Sequence, residues 1–274
     1  MPLFSSPIQP YFVLNTTAYY KRCMYGMGIS HFYEFVCDCV DAADTVVVPD
    51  GTIDVIFCCD PQQPEAVVYG SVACAGTQMF EAGKRYFGVR FAPGLVVHFS
   101  DISAGELVGN AVSLLDLKDM SPAVGQIASA PDFFARIDIF VRCLYPLIGI
   151  NTGSADGHEI LTGQILFQIN RTRGTVSLKE LEEELHYSRR HMNRVFQAQT
   201  GFSIKRFCRY VRFQNLLGIL KENPSFTVLE ASEEAGYYDQ NHLQKEFREF
   251  AQTTPKSFRD ELRKAHYPDR IIKE

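Results

Sequence analysis

The chain has 274 residues, 27 basic and 32 acidic side chains, no tryptophan and 46% hydrophobic residues, the composition of a globular protein rather than a disordered or fibrous one. No run approaches the roughly 18 consecutive apolar residues that a membrane span needs, and Met1 to Pro10 lacks the basic start and apolar stretch of a secretory signal, so the expected location is the cytoplasm and a membrane partner is excluded. There the eight cysteines are expected as reduced thiols rather than a disulfide framework.

Charge is unevenly shared. Residues 1–156 hold 8 Lys/Arg against 16 Asp/Glu, whereas residues 157–274 hold 19 against 16. Ser188 to Arg212 contains Arg189, Arg190, Arg194, Lys205, Arg206, Arg209 and Arg212 and no carboxylate. A positive face on an acidic protein points to a polyanion partner, although a solvated helix surface carries the same pattern.

From Pro7 to Pro93 short β-branched and aromatic runs are separated by Pro, Gly and Asp. Thr45 to Val48, Thr52 to Cys58, Ala66 to Tyr69 and Tyr86 to Phe91 read as strands, with Pro49-Asp50-Gly51, Asp60-Pro61 and Pro93-Gly94 as turns. Such spacing predicts a small antiparallel barrel or sandwich. From Pro122 onward longer spacings appear, and Phe133, Phe134, Ile137, Phe140, Val141 and Leu144 fall on one helical face, as a core stripe or a dimer contact would. Asn151 to Gly157, small and polar, is the expected linker between a β-rich unit at 1–150 and an all-helical unit at 158–274.

Beyond the linker, Ile160, Leu161, Ile165, Leu166 and Ile169 make one amphipathic helix. Ser177-Leu-Lys-Glu180 is a capping box, and Thr227-Val-Leu-Glu230 is a second about fifty residues on. Sliding this half along itself by 51 positions pairs Ser188 with Asp239, Met192 with Leu243, Arg194 with Lys245, Phe196 with Phe247, Ser203 with Thr254 and Phe207 with Phe258. Each copy reads as a capped helix, a tight break and a second capped helix, which is helix-turn-helix grammar. In that geometry Met192, Val195 and Phe196 pack, while Arg190, Asn193 and Arg194 project toward base edges. Their types suit guanine and adenine. The second copy offers Gln240, Asn241, His242 and Lys245 in the same place. Arg189, Lys205, Arg206, Arg209 and Arg212 are the candidate phosphate contacts, with the helix starts at Ser177 and Thr227 as neutral anchors.

Ser177 to Arg259 resembles the DNA-binding module of the AraC/XylS family of bacterial transcription regulators. The resemblance rests on Ser188-Arg-Arg-His-Met-Asn-Arg-Val-Phe196 with Thr200-Gly201-Phe-Ser203, and on Gly236-Tyr-Tyr-Asp-Gln-Asn-His-Leu-Gln-Lys-Glu-Phe247 with Thr254-Pro255-Lys-Ser-Phe-Arg259. Gln252, Ile204 and Ala231 depart from the family's usual glycine, proline and larger aliphatic. Val48 to Phe57 and Gly88 to Gly94 are similar to a sensor-type domain found ahead of such modules. The resemblance implies an α+β protein, a cupin-like antiparallel β-barrel with flanking helices followed by two helix-turn-helix motifs on a long shared helix. It further implies double-stranded DNA as partner, with a small-molecule effector, RNA polymerase and a second copy of the chain as candidates.

No nucleophile motif, phosphate loop or multi-histidine set occurs in the first part, so neither enzymatic activity nor a cofactor or metal site is expected. Nor is the spaced four-cysteine pattern of an Ada-like methyl acceptor present. The rival reading is a thiol or soft-metal sensor built on Cys37 and Cys39, which a strand would place on one face, with buried apolar cysteines as the plain alternative. Arg90, with Tyr33 and Phe91, is the candidate ligand-binding set. The many aromatics before Asp38 equally suit a barrel core.

Overall fold

The computed structural model describes residues 7–274 other than 25, 39–43, 100, 101, 103, 118, 151–155 and 224. Residues 151–155 of the expected linker and Cys39 therefore lie outside the described residues. In chain order the first part contains α1 (Pro10–Leu14), β1 (Tyr19–Cys23), β2 (Ile29–Val36), β3 (Asp44–Val47), β4 (Asp54–Cys58), β5 (Glu65–Tyr69), β6 (Gly76–Met79), β7 (Arg85–Phe91) and β8 (Val97–His98). α2 (Ala104–Leu107), β9 (Ala111–Ser113), α3 (Ser121–Ser129), α4 (Phe133–Ile139) and β10 (Gly149–Ile150) follow. The helical part comprises α5 (Gly157–Arg171), α6 (Leu178–Leu185), α7 (Arg189–Thr200), α8 (Ile204–Glu222), α9 (Val228–Glu234), α10 (Gln240–Ala251) and α11 (Pro255–Lys264), and the chain ends on β11 (Ile271–Lys273). This is the α+β architecture expected from the sequence.

Seven strands form one sheet in the order β11-β1-β2-β7-β4-β5-β9, flanked by the ribbons β10-β8 and β3-β6. The four strands legible in the sequence are β3, β4, β5 and β7. β2 escapes a period-two search because both of its faces are buried, which makes His31 to Phe35 an unbroken buried run. Alternate residues divide the sheet between two cores. Phe32, Val55, Phe57, Phe87, Val89 and Phe91 lie in the core covered by α3 and α4. Tyr33, Phe35, Ile56 and Tyr86 face the other way, into a core continuous with Leu166, Phe207 and Phe247 of the helical part. Gly88 is dictated by this second face: a Cβ there would lie 2.0 Å from the ring of Tyr33.

The stripe in α4 packs on its own sheet through Phe133 and Ile137, and continues as one π turn, Phe140–Leu144, that buries Phe140 and Leu144. β11, which follows the last helix, pairs in parallel with β1, placing Tyr19 opposite Ile271 and Lys21 opposite Lys273. Arg270 Nη1 fastens the same segment by donating to the carbonyls of Leu14 and Thr16, both at 2.8 Å. The chain's last strand thus completes an edge of the sheet built by its first residues.

Candidate nucleic-acid interface

Two copies of one local design build the helical surface. Ser177 caps α6 by accepting from the Glu180 N–H at 3.2 Å, while the Ser177 N–H donates to the Glu180 carboxylate at 2.7 Å. Thr227 and Glu230 cap α9 with the same distances. α6 stops at His186, a left-handed residue with φ 58°, and Ser188 then caps α7. In the second copy Gly236, φ 79°, makes the break and Asp239 caps α10 by accepting from the His242 N–H at 2.7 Å. α7 and α10 have 12 residues each.

The buried faces of these two helices are those expected, Met192, Val195 and Phe196 in α7 and Leu243 and Phe247 in α10. On the opposite faces Arg190, Arg194, Gln240, Asn241, His242, Gln244 and Lys245 are exposed. Arg189 is exposed and paired with Glu182 at 2.7 Å. Asn193 requires a correction. Its Oδ1 accepts from the Ile204 N–H at 3.1 Å, so it fastens α7 to the first turn of α8 instead of projecting as a base reader.

The phosphate set is corrected more extensively, because carboxylates distant in sequence fold onto α8. Glu246, buried in α10, accepts from Arg209 Nε at 2.8 Å and from the Tyr237 hydroxyl at 2.7 Å, and lies 3.5 Å from Arg212. Glu249 pairs with Arg209 at 2.6 Å and with Arg206 at 3.0 Å. The Arg209 guanidinium also lies 4.7 Å over the Phe250 ring, and that of Arg212 5.0 Å over Tyr237. Arg206 donates to the carbonyl of Ala73 in the sheet part, which also accepts from the Tyr210 hydroxyl at 3.1 Å. These three arginines join α8, α10 and the sheet part into one body, whereas Lys205 is exposed. Ser177 and Thr227 are corrected as anchors too: the capping glutamates occupy their N–H groups and place negative charge where a phosphate would approach.

A concave site of about 770 Å³ lies where the sheet meets α8. Lys21, His31 and Arg90 line it from the sheet side, and Asn215 and Lys221 from α8. Burial pushes the Lys21 ammonium down to about 8, with Arg90, Lys221 and Lys273 reinforcing the shift and Cys23 opposing it. Burial also lowers Lys221 and His31. Lys21 and Lys221 lie too far apart in sequence for any local signal to have paired them. Of the expected ligand set, Arg90 borders this cavity but is 2% exposed, with Nε donating to Asp54 Oδ1 at 2.7 Å. Tyr33 and Phe91 are corrections. The Tyr33 hydroxyl donates to Asp54 at 3.0 Å beneath a ring stacked on Tyr19, and Phe91 lies in the opposite core. Among the thiols, Cys37 is buried, and burial pushes Cys59 up to about 11 and raises Cys58, the reverse of a reactive thiolate.

Residues 181–261 match a family described as a helix-turn-helix domain, and residues 27–113 one described as a domain of unknown function, DUF6597. The Msm operon regulatory protein of Streptococcus mutans is 27% identical over 88 residues, which are 32% of this chain and 31% of that protein. The chain thus spans about a third of the length of this relative. ToxT from Vibrio cholerae aligns with 84% of this chain and 97% of its own, at 8% identity and a TM-score of 0.43. Its unsaturated fatty acid bound form aligns with 88% of this chain and 93% of its own, at 12% identity and a TM-score of 0.39. Two capped, outward-facing helices one repeat apart define a tandem helix-turn-helix protein. This C-terminal module is similar to that of the AraC/XylS family of regulators.

Proposed function

We propose that the chain is a sequence-specific, DNA-binding transcription regulator whose sheet part senses a small molecule. The carrying observation is the duplicated 12-residue helix, each copy burying an apolar face and turning arginine, lysine or amide side chains outward. Two such helices on one body suit successive major-groove segments about 34 Å apart. In this reading Arg190, Arg194, Gln240, Asn241, His242 and Lys245 meet base edges, and Arg189 and Lys205 meet phosphates. Selection from a randomised duplex library, followed by affinity measurements across a KCl series, tests it. A defined consensus with affinity falling as salt rises is expected; no enrichment and no salt dependence would reject it.

The cavity between sheet and helices supports the sensing role. Its cationic side chains come from both 1–150 and 158–274, the two functional units in this reading, so a small anion held there would contact both. Thermal shift with a panel of small carboxylates and amines checks this: carboxylates should raise the melting temperature, and Lys21→Ala with Lys221→Ala should abolish the shift. Equal response to amines would rule out an anion site. RNA polymerase and a second copy of the chain are further candidate partners.

A further inference from the structure

Tyr187 and Tyr238 stand 51 residues apart, each immediately before the N-cap of an outward-facing helix. Among the described residues they are the two exposed tyrosines, Tyr238 at 95% and Tyr187 at 45%. An apolar residue before an N-cap ordinarily folds back on the fourth helical residue, closing a hydrophobic staple. At α6, α8 and α9 that residue meets the core: Val176 before Ser177, Phe202 before Ser203 and Phe226 before Thr227 all pack there, Phe202 itself buried. At α7 and α10 the fourth residues, Met192 and Leu243, are fully buried. Tyr187 instead lies along the His191 ring, centroids 5.4 Å apart and planes within 20°, and Tyr238 is left to solvent. Leaving an aromatic ring in water at the same point of both repeats forgoes burial that the sister helices obtain.

We propose that Tyr187 and Tyr238 are DNA-backbone contacts, one per motif, each donating its hydroxyl to a phosphate oxygen beside the groove that its helix enters, with the ring against the sugar. This rests on the regulator reading above. The N-terminal end of a recognition helix faces base edges, so the residue preceding its cap lies at the groove wall, where tyrosine is among the side chains that contact phosphate and sugar. A neutral donor releases no counterion. Its signature therefore differs from that of Arg189 or Lys205.

The test uses the full chain and a fluorescein-labelled duplex of mixed sequence, titrated across a KCl series. Tyr187→Ala and Tyr238→Ala should each weaken binding roughly three- to tenfold, the range of a lost neutral hydrogen bond. Tyr→Phe at either position should lose part of that. The slope of log affinity against log KCl, and the consensus selected from a random library, should stay as in the wild type. Wild-type affinity in the variants overturns the proposal, as does a loss confined to one base sequence, which would make them base readers. Unchanged DNA binding with reduced output from a reporter gene also overturns it and points to a protein partner. A wild-type chain that fails to bind the duplex rejects the regulator reading and this one together, whereas variant results bear on the tyrosines alone. Far-UV circular dichroism of each variant confirms that the helices remain.

Discussion

Gln252 ends α10 with φ 55°, the left-handed conformation that Gly201 adopts at φ 79° at the end of α7, 51 residues earlier. The repeat has kept the geometry while exchanging the residue suited to it. A Cβ in this region costs about 1–2 kcal/mol, partly offset by the greater chain entropy that glycine loses on folding. Gln252→Gly should therefore raise stability by roughly 0.5–1 kcal/mol, read as a shift in the urea midpoint at unchanged slope. A lower midpoint would mean that the glutamine side chain stabilises this turn in some other way.

Neighbouring residues of α7 should separate by role. Arg194→Ala is expected to cost about 1–3 kcal/mol of specific binding and to relax base preference at one position, leaving stability within about 0.5 kcal/mol. Asn193→Ala should do the opposite, losing about 1 kcal/mol of stability with the Ile204 cap while the preferred sequence stays the same. Denaturation curves and library selection on the two variants distinguish these outcomes.

On α8 the contrast lies between Lys205 and Arg209. Lys205→Ala should flatten the salt dependence of DNA binding by about one ion. Arg209→Ala leaves Glu246 buried with one fewer cation and should destabilise the fold by about 3 kcal/mol. The accompanying loss of DNA affinity should disappear on cooling or in a stabilising osmolyte. An Arg209→Ala protein as stable as the wild type, with a flatter salt slope, would return that arginine to the phosphate contacts.

Lys21 supplies a pH dependence. Its ammonium is lowered by burial to about 8 in the fold against 10.5 for the unfolded chain. Below pH 8 both states carry the proton and the folded state bears the cost of burying it. Between pH 8 and 10.5 the unfolded chain binds more protons, so this group's contribution to stability rises with pH. The wild type minus Lys21→Met stability difference should therefore shift in favour of the wild type across that window, measured by chemical denaturation at several pH values. A flat difference would mean that Lys21 keeps its proton in the fold. For an anionic effector the sign is reversed, and affinity should fall as pH rises through 8.

The motifs were readable because their determinants are short-range. Ser188 and Asp239 as caps, the αL breaks and the apolar spacing of Met192, Val195 and Phe196 act within one or two turns of chain, where sequence order and spatial order coincide. Arg206, Arg209 and Arg212 left the phosphate set for the complementary reason. Ser188 to Arg212 looks uncompensated only until Glu246 and Glu249 arrive from α10. Tyr33 and Phe91 failed in the same way, since which face of a doubly buried strand meets a cavity depends on what covers each side.

By itself the amino-acid order determined the two capped helix pairs, their repeat and the four strands β3, β4, β5 and β7, because backbone hydrogen bonding, capping and side-chain periodicity are settled among near neighbours. Only the tertiary structure decided which arginines are committed to internal carboxylates, that β11 completes the sheet beside β1, and that Lys21 and Lys221 share one cavity. Those outcomes depend on electrostatics and burial between segments far apart along the chain, and such pairings exist only once the core has closed around them.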